Sequence, residues 1–270
     1  MQISQIPIIN YHKISPSFDI GITTRHPRQF ENDLEILKSY KFNTITFRDI
    51  TNDDSEISNP IIITFDDAYE TIKTYALPIM QSFGYKGVIY PVTNFIGRYN
   101  DWDVQIGKFK FKHLDWKELK DIQEIGFEIG SHTQSHELLT QMSYERQFRE
   151  LSQSKSALED ALGKEVCSVS YPFGRFNQET IQCAEKAGYK YGLASLYFKH
   201  IEENNRVYTL KRFNIYRFDT GNQFKMKIGI KNSQYIYYRD WLMQKGGLGT
   251  ALLQSLRKRM NPNGIIKINP

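Results

Sequence analysis

The 270-residue chain has few cysteines, no long apolar run and no strong charge of either sign. Cys167 and Cys183 are its two cysteines. They form no Cys-x-x-Cys pair and no disulfide framework, so both read as small core residues, Cys167 in an apolar strand and Cys183 in a helix. No stretch approaches the roughly 20 apolar residues of a membrane-spanning helix. The first residues, Met1-Gln2-Ile3-Ser4-Gln5, lack the basic start and apolar stretch of a secretory signal. That predicts a cytoplasmic protein, with an extracytoplasmic location left open. The 35 basic and 30 acidic residues give a net charge of +5, too mild to demand a nucleic-acid partner. The densest basic cluster, Arg257-Lys258-Arg259, falls at the end of a predicted helix, where cations suit the helix dipole. No zinc-finger spacing or long basic run points to nucleic acid. Repeats and low-complexity segments are missing too.

The chain does have aromatic and apolar material: 17 Tyr, 17 Phe and 40% hydrophobic residues. This is enough for a real core and argues against disorder. Short apolar runs alternate with amphipathic stretches, the pattern of an α/β protein with parallel strands. Strands are predicted at 6–11, 44–47, 61–65, 87–92, 127–130, 166–171, 191–195 and 207–215. Helices are predicted at 27–40, 69–83 (with Pro78 inside), 114–125, 143–162 and 178–187. Ser143 and Gly163 are suited to cap the longest of them. Residues 93–113 form a long aromatic loop, including Tyr99 and Trp102, of the length that often serves a binding site. Beyond about Phe218 the alternation weakens, and 242–260 reads as an amphipathic appendage. The expected architecture is a distorted (β/α)7-type barrel over residues 1–218, with a C-terminal extension over 219–270 packed on it. In such barrels the loops at the C-terminal strand ends build the active site.

Two groups of residues carry chemistry. Ile61-Ile62-Ile63-Thr64-Phe65 delivers Asp66 and Asp67 at the end of a buried strand. Ser131-His132-Thr133-Gln134-Ser135-His136 follows another apolar run, and its imidazoles are four apart, the spacing of one side of a helical turn. An Asp pair also suits a helix N-cap, and a His pair is by itself a weak metal signal. Their coincidence at two strand ends favours a metal-dependent hydrolase. Two His and one carboxylate leave coordination positions open, as a catalytic metal requires, and the second carboxylate is then free to act as a base.

Thr64-Phe65-Asp66-Asp67 and Ser131-His132-Thr133-Gln134-Ser135-His136 resemble the first two motifs of the polysaccharide deacetylase (NodB-homology) carbohydrate esterases. Ser170-Tyr171-Pro172-Phe173-Gly174 resembles the third. The likeness runs from about Ile6 to Ile215. It implies a divalent metal, with zinc expected, held by Asp67, His132 and His136. It also implies Asp66 as the base, and a substrate and oxyanion wall from Tyr171, Pro172, Phe173 and Gly174. The implied substrate is an N-acetylated glycan, cleaved to acetate and free amine.

Three departures stand out. Ala68 replaces the usual Gly, and Ser170 replaces the Arg that orients the base. The C-terminal third has no Leu-x-His motif; its one histidine, His200, lies in a charged, loop-like stretch. A branch similar to poly-N-acetylglucosamine deacetylases carries that last motif permuted to the N-terminus. Ile6-Pro7-Ile8-Ile9-Asn10-Tyr11-His12 fits that arrangement, which makes His12 the candidate acid, against the alternative of a histidine merely packed at a strand end. Arg212, in the strand-like Leu210-Lys211-Arg212-Phe213, is the candidate for the missing Arg. Two other readings stay open: a deacylase of another amide, such as a formamido or lipid-linked sugar, and a catalytically silent carbohydrate-binding module. The oligomeric state is not legible.

Overall fold

The computed structural model describes residues 3–17, 21–52, 57–100, 111–196 and 203–246. Among these the strands are β1 (Ile8–Tyr11), β2 (Lys13–Ile14), β3 (Thr24–Arg25), β4 (Asn43–Thr44), β5 (Pro60–Asp66), β6 (Val88–Tyr90), β7 (Glu128–Ile129), β8 (Ser168–Ser170), β9 (Tyr191–Ala194), β10 (Leu210–Lys211) and β11 (Phe213–Asn214). The helices are α1 (Pro27–Ser39), α2 (Phe47–Asn52), α3 (Leu77–Ser82), α4 (Trp116–Glu124), α5 (Tyr144–Leu162), α6 (Gln178–Lys186), α7 (Gly221–Lys227) and α8 (Gln234–Gly246). His200, Trp102 and the Arg257-Lys258-Arg259 cluster lie outside the described residues, as does the part of the predicted 242–260 helix beyond α8.

All the strand pairs are parallel. β1 lies between β5 and β11, and β5 leads through β6 to β7. Ser131 carries the wall onward: its N–H donates to Ser168 O, and its carbonyl accepts from Ser170 N–H. From β8 the order runs through β9 to β10. The chain then changes partners at Arg212, so that β10 pairs with β9 and β11 with β1. The chain itself thus links the two sheets between β10 and β11, and the architecture is of the α/β barrel type. β5 shows why these sequences become wall strands. Ile61, Ile62, Ile63 and Phe65 are all fully buried, as expected of a parallel strand covered on both sides, where β-branched residues pack well.

The helices cover this wall. α1 begins at Pro27, whose missing N–H costs nothing at a first helical position. It is capped by His26, which accepts from Arg28 N–H, and it buries Phe30, Leu34 and Leu37. α5 follows Ser143 and stops at Gly163 in the left-handed conformation (φ 66°), where glycine carries no Cβ penalty.

Three predicted elements take a different form. The helix predicted over 69–83 divides into a π-turn, Ile72–Ala76, and α3. The Leu77 N–H reaches back five residues to Ile72 O, and Pro78, which has no N–H, follows directly. A proline in mid-helix clashes with the preceding turn, and widening that turn relieves it. The strand predicted over 44–47 stops at Thr44, and α2 starts at Phe47. Here Asp49 Oδ2 accepts from Thr46 N–H at 2.6 Å and from its hydroxyl at 2.9 Å, a local arrangement that nucleates the helix. The strand predicted over 207–215 starts later, after a 3-10 turn over Glu203–Tyr208.

Residues after β11 are joined to one another by buried charge and to the barrel by hydrogen bonds. Lys227 Nζ, fully buried, pairs with Asp219 Oδ2 at 2.5 Å and Asp240 Oδ2 at 2.6 Å. Gln244 of α8 accepts from Leu196 N–H at 2.7 Å and donates to Arg212 O at 3.3 Å. No helix among the described residues is long and apolar enough to cross a membrane.

Candidate active site

At the end of β5 the backbone turns left-handed at two successive residues, Asp67 (φ 67°) and Ala68 (φ 52°). In a regular strand, neighbouring side chains point to opposite faces. The reversal at Asp67 lets both carboxylates reach one site, 5% and 6% exposed. Left-handed backbone costs a non-glycine residue roughly 1–2 kcal/mol, so the turn persists only where its surroundings hold it. Thr133 (φ 64°), His136 (φ 54°) and Phe173 (φ 57°) repeat this conformation in the facing loops.

The histidine pair does not lie on a helical turn. After Ser131 the chain is an irregular loop, in which the reversals at Thr133 and His136 bring the rings together, 4.8 Å apart and nearly perpendicular. Glu150 of α5 holds that loop: its carboxylate accepts from Gln134 N–H, Ser135 N–H and Ser135 Oγ at 3.0, 3.0 and 2.8 Å. His132 Nδ1 contacts Ser170 O at 2.7 Å. A carbonyl only accepts, so Nδ1 carries the proton and Nε2 is left with a free lone pair.

That Nε2 lies 3.8 Å from Asp67 Oδ1, and His136 Nε2 lies 3.5 Å from the same oxygen. Donor atoms of Asp67, His132 and His136 all fall within 4.8 Å of one another. Ligands about 2.1 Å from a tetrahedral ion sit about 3.4 Å apart, so this set fits a divalent cation. The His132 tautomer, fixed from outside by Ser170 O, is the one a metal ligand needs. Burial lowers the pKa of both rings, His136 well below the usual value, which keeps them neutral.

Asp66 stands beside this set, its Oδ2 4.0 Å from His132 Nε2. Arg212 donates to both its oxygens, Nη1 to Oδ1 at 2.9 Å and Nη2 to Oδ2 at 2.8 Å. Asn10 Nδ2 adds a bond to Oδ2 at 3.0 Å. The guanidinium is itself fixed by Ser170 Oγ at 2.8 Å, Asn10 Oδ1 at 3.1 Å and Thr64 Oγ1 at 3.2 Å. Burial alone would raise the Asp66 carboxyl, but Arg212 and His132 bring it well below the usual carboxylate range. Asp66 is therefore an ionised acceptor with fixed orientation.

His12 follows β1, half-buried. Its Nδ1 has no hydrogen-bond partner among the described residues. Burial lowers its pKa to about 4, against the pull of nearby Asp66. The Pro172–Gly174 turn reaches the same site, with the Phe173 ring 5.0 Å from the His136 ring. Within this turn, Tyr171 N–H donates to Leu193 O and Gly174 N–H to Tyr171 O, while Pro172 has no N–H. The Tyr171 side chain is fully buried in the core, so this residue faces the site through its backbone. Gly174 is obligatory: a Cβ there would lie 1.9 Å from Ser195 Oγ.

The structure thus brings His12, Asp66, Asp67, His132, His136, Arg212 and the Pro172–Gly174 turn to one end of the barrel. Sequence reasoning missed Asn10, Thr64 and Glu150. Asn10 lies inside the quoted Ile-Ile-Asn-Tyr-His string, and its position two residues before His12 was the available signal.

The profile of the family described as "Polysaccharide deacetylase" matches residues 53–192. The chain belongs to the polysaccharide deacetylase family. YxkH of Bacillus subtilis (strain 168), whose name assigns it to the polysaccharide deacetylases, is 29% identical over 197 residues. That match covers 71% of this chain and 65% of YxkH, so the chain spans about two thirds of that relative's length. The poly-beta-1,6-N-acetyl-D-glucosamine N-deacetylase of Staphylococcus aureus (strain MSSA476) is 27% identical over 232 residues, 76% of each protein. Among solved structures, the Streptococcus pyogenes deacetylase PplD in complex with acetate superposes with a TM-score of 0.69 at 23% identity, covering 83% of this chain and 97% of that one. This last likeness bears on the fold.

Proposed function

We propose that this polysaccharide deacetylase hydrolyses the N-acetyl amide of an N-acetylhexosamine-containing glycan, giving acetate and a free amine. The observation that carries the reading is the pairing of a three-donor set, Asp67, His132 and His136, with a second carboxylate, Asp66, locked by Arg212. Asp67, His132 and His136 would hold a divalent metal, and zinc suits two imidazoles and a carboxylate. When bound, such an ion supplies Lewis-acid polarisation of the acyl carbonyl and a lowered pKa for water.

The protein's own groups divide the remaining work. Asp66, ionised and aimed by Arg212, takes the proton of the attacking water. The Phe173 amide is the backbone donor that the Pro172–Gly174 turn has left for the developing oxyanion, since its neighbours are committed. His12 gives a proton to the departing nitrogen, which leaves poorly without one. With a pKa near 4 its ring starts neutral at pH 7, so the proton it passes to the nitrogen is the one that Asp66 removes from the attacking water, and both groups end the cycle as they began.

The relative from S. aureus, named for a poly-N-acetylglucosamine substrate, favours an N-acetylglucosamine polymer over a formamido or lipid-linked sugar. A silent binding module would need neither the donor set nor the locked carboxylate. The test is acetate release from N-acetylated chito-oligomers with and without a chelator. Chelator-sensitive release is expected. Zinc bound without release on these oligomers would move the reading to another acyl group or glycan, and failure to bind any metal would favour the module.

A further inference from the structure

We propose that His113, which belongs to none of the three motifs, is a positioning residue that sets the metal affinity of Asp67. The inference rests on the metal-dependent reading above. It begins from the strained turn: Asp67 and Ala68 are both left-handed, and a turn of that kind reverts unless its carbonyls are held. Both carbonyls are bonded to the same short segment. His113 Nδ1 lies 2.6 Å from Asp67 O, and Leu114 N–H donates to Ala68 O at 2.8 Å. The next residues of the turn are fixed from there too, because Glu70 N–H donates to Lys112 O at 2.8 Å.

The 2.6 Å contact has one chemical sense. The Asp67 carbonyl only accepts, so the imidazole donates from Nδ1. Its aim is fixed by its surroundings. The His113 amide donates to Arg98 O at 2.8 Å, and the ring stacks on Tyr69 with centroids 4.8 Å apart and planes 27° apart. His113 is 1% exposed, so its ring is shielded from bulk solvent. The donor thus holds the backbone of the very residue whose carboxylate faces His132 and His136. Partners of this kind, one step removed from the metal, commonly change affinity or activity by about 10–100-fold.

The alternative is that the ring matters only as packing against Tyr69, and two substitutions separate the roles. His113→Phe keeps the stacked ring and removes the donor. His113→Asn removes the ring and keeps an N–H close to the place of Nδ1. Metal-free wild type and both variants are titrated with Zn²⁺ in competition with a chromophoric chelator, folding being checked by circular dichroism. Should His113→Phe fail to fold, His113→Leu carries the same comparison. The expected result is that the Phe variant binds zinc about tenfold or more weakly, within the range of such partners, while the Asn variant binds as wild type does. Wild-type affinity in the Phe variant overturns the proposal, and so does equal weakening in both. If wild-type protein itself binds no zinc, the metal-dependent reading falls along with it, and that outcome is distinct from the other two.

Discussion

Arg212 and Asp66, 146 residues apart in sequence, face each other across the barrel in a two-pronged pair of 2.9 and 2.8 Å. The pair is buried, and it stands where a change of strand partner at Arg212 turns the side chain inward. Ser170, the residue at the place of the motif Arg, accepts from this same guanidinium at 2.8 Å. With Ser170 where the third motif would open on Arg, the carboxylate still has a guanidinium partner, that of Arg212.

Arg212→Lys keeps the charge but loses the planar fork. Its kcat for acetate release is expected to fall by about 10²-fold, at the low end of what a positioned base contributes, with zinc binding unchanged. Arg212→Ala is expected to destabilise the fold by about 3–5 kcal/mol, the usual cost of leaving a buried charge unpaired. Steady-state kinetics and denaturant unfolding check these outcomes. Near wild-type turnover in Arg212→Lys would remove the orienting role.

His12→Ala is expected to slow hydrolysis of an N-acetyl amide by about 10²-fold or more, the range for general acid catalysis. An activated ester, whose leaving group needs no proton, should be cleaved almost as by wild type. Equal losses on the two substrates would end the acid assignment.

At Ala68, three effects of similar size oppose one another. Ala68→Gly relieves about 1–2 kcal/mol of left-handed strain. It adds about 0.4–1 kcal/mol of unfolded-chain entropy and forfeits about 0.8 kcal/mol of methyl burial. Stability is therefore expected to change by less than about 1 kcal/mol, the balance of these effects. Ala68→Val, β-branched at a left-handed and fully buried position, is expected to be clearly destabilised. Thermal melts of the two variants decide this.

Metal-free protein should lose stability on mild acidification. His12 and His113 take a proton near pH 4 in the folded chain, lowered by burial from 6.5. In the unfolded chain they take it near 6.5, so between these values the unfolded state binds more protons. Stability present above pH 6.5 is then lost progressively as the pH falls towards about 4. The melting temperature is expected to drop between pH 7.5 and 5. A flat profile over this window would show that these rings are not held neutral by the fold.

The barrel was legible because its strands are short, apolar runs separated by well-capped helices, as at α1 and α5. Asp66-Asp67 and His132–His136 were legible because each group is contiguous in sequence. The geometry joining them was not. Left-handed backbone at Asp67, Thr133 and His136 is poorly signalled, because Asp and His are enriched there but adopt it seldom and Thr is not enriched, so four-residue spacing suggested a helical turn where a loop stands. Glu150 and His113 act on backbone groups 15 to 46 residues away, and nothing local distinguishes them from surface residues. Tyr171, inside the third motif, reads as a wall residue; its ring fills the core, which leaves its backbone for the site.

The most direct test measures metal content and acetate release together, for wild type and Asp66→Asn, on N-acetylglucosamine oligomers. The account predicts stoichiometric zinc in both proteins, acetate release by wild type, and release in the variant lowered by about 10²-fold or more, as expected for a lost general base. Zinc-loaded Asp66→Asn that turns over like wild type would contradict it.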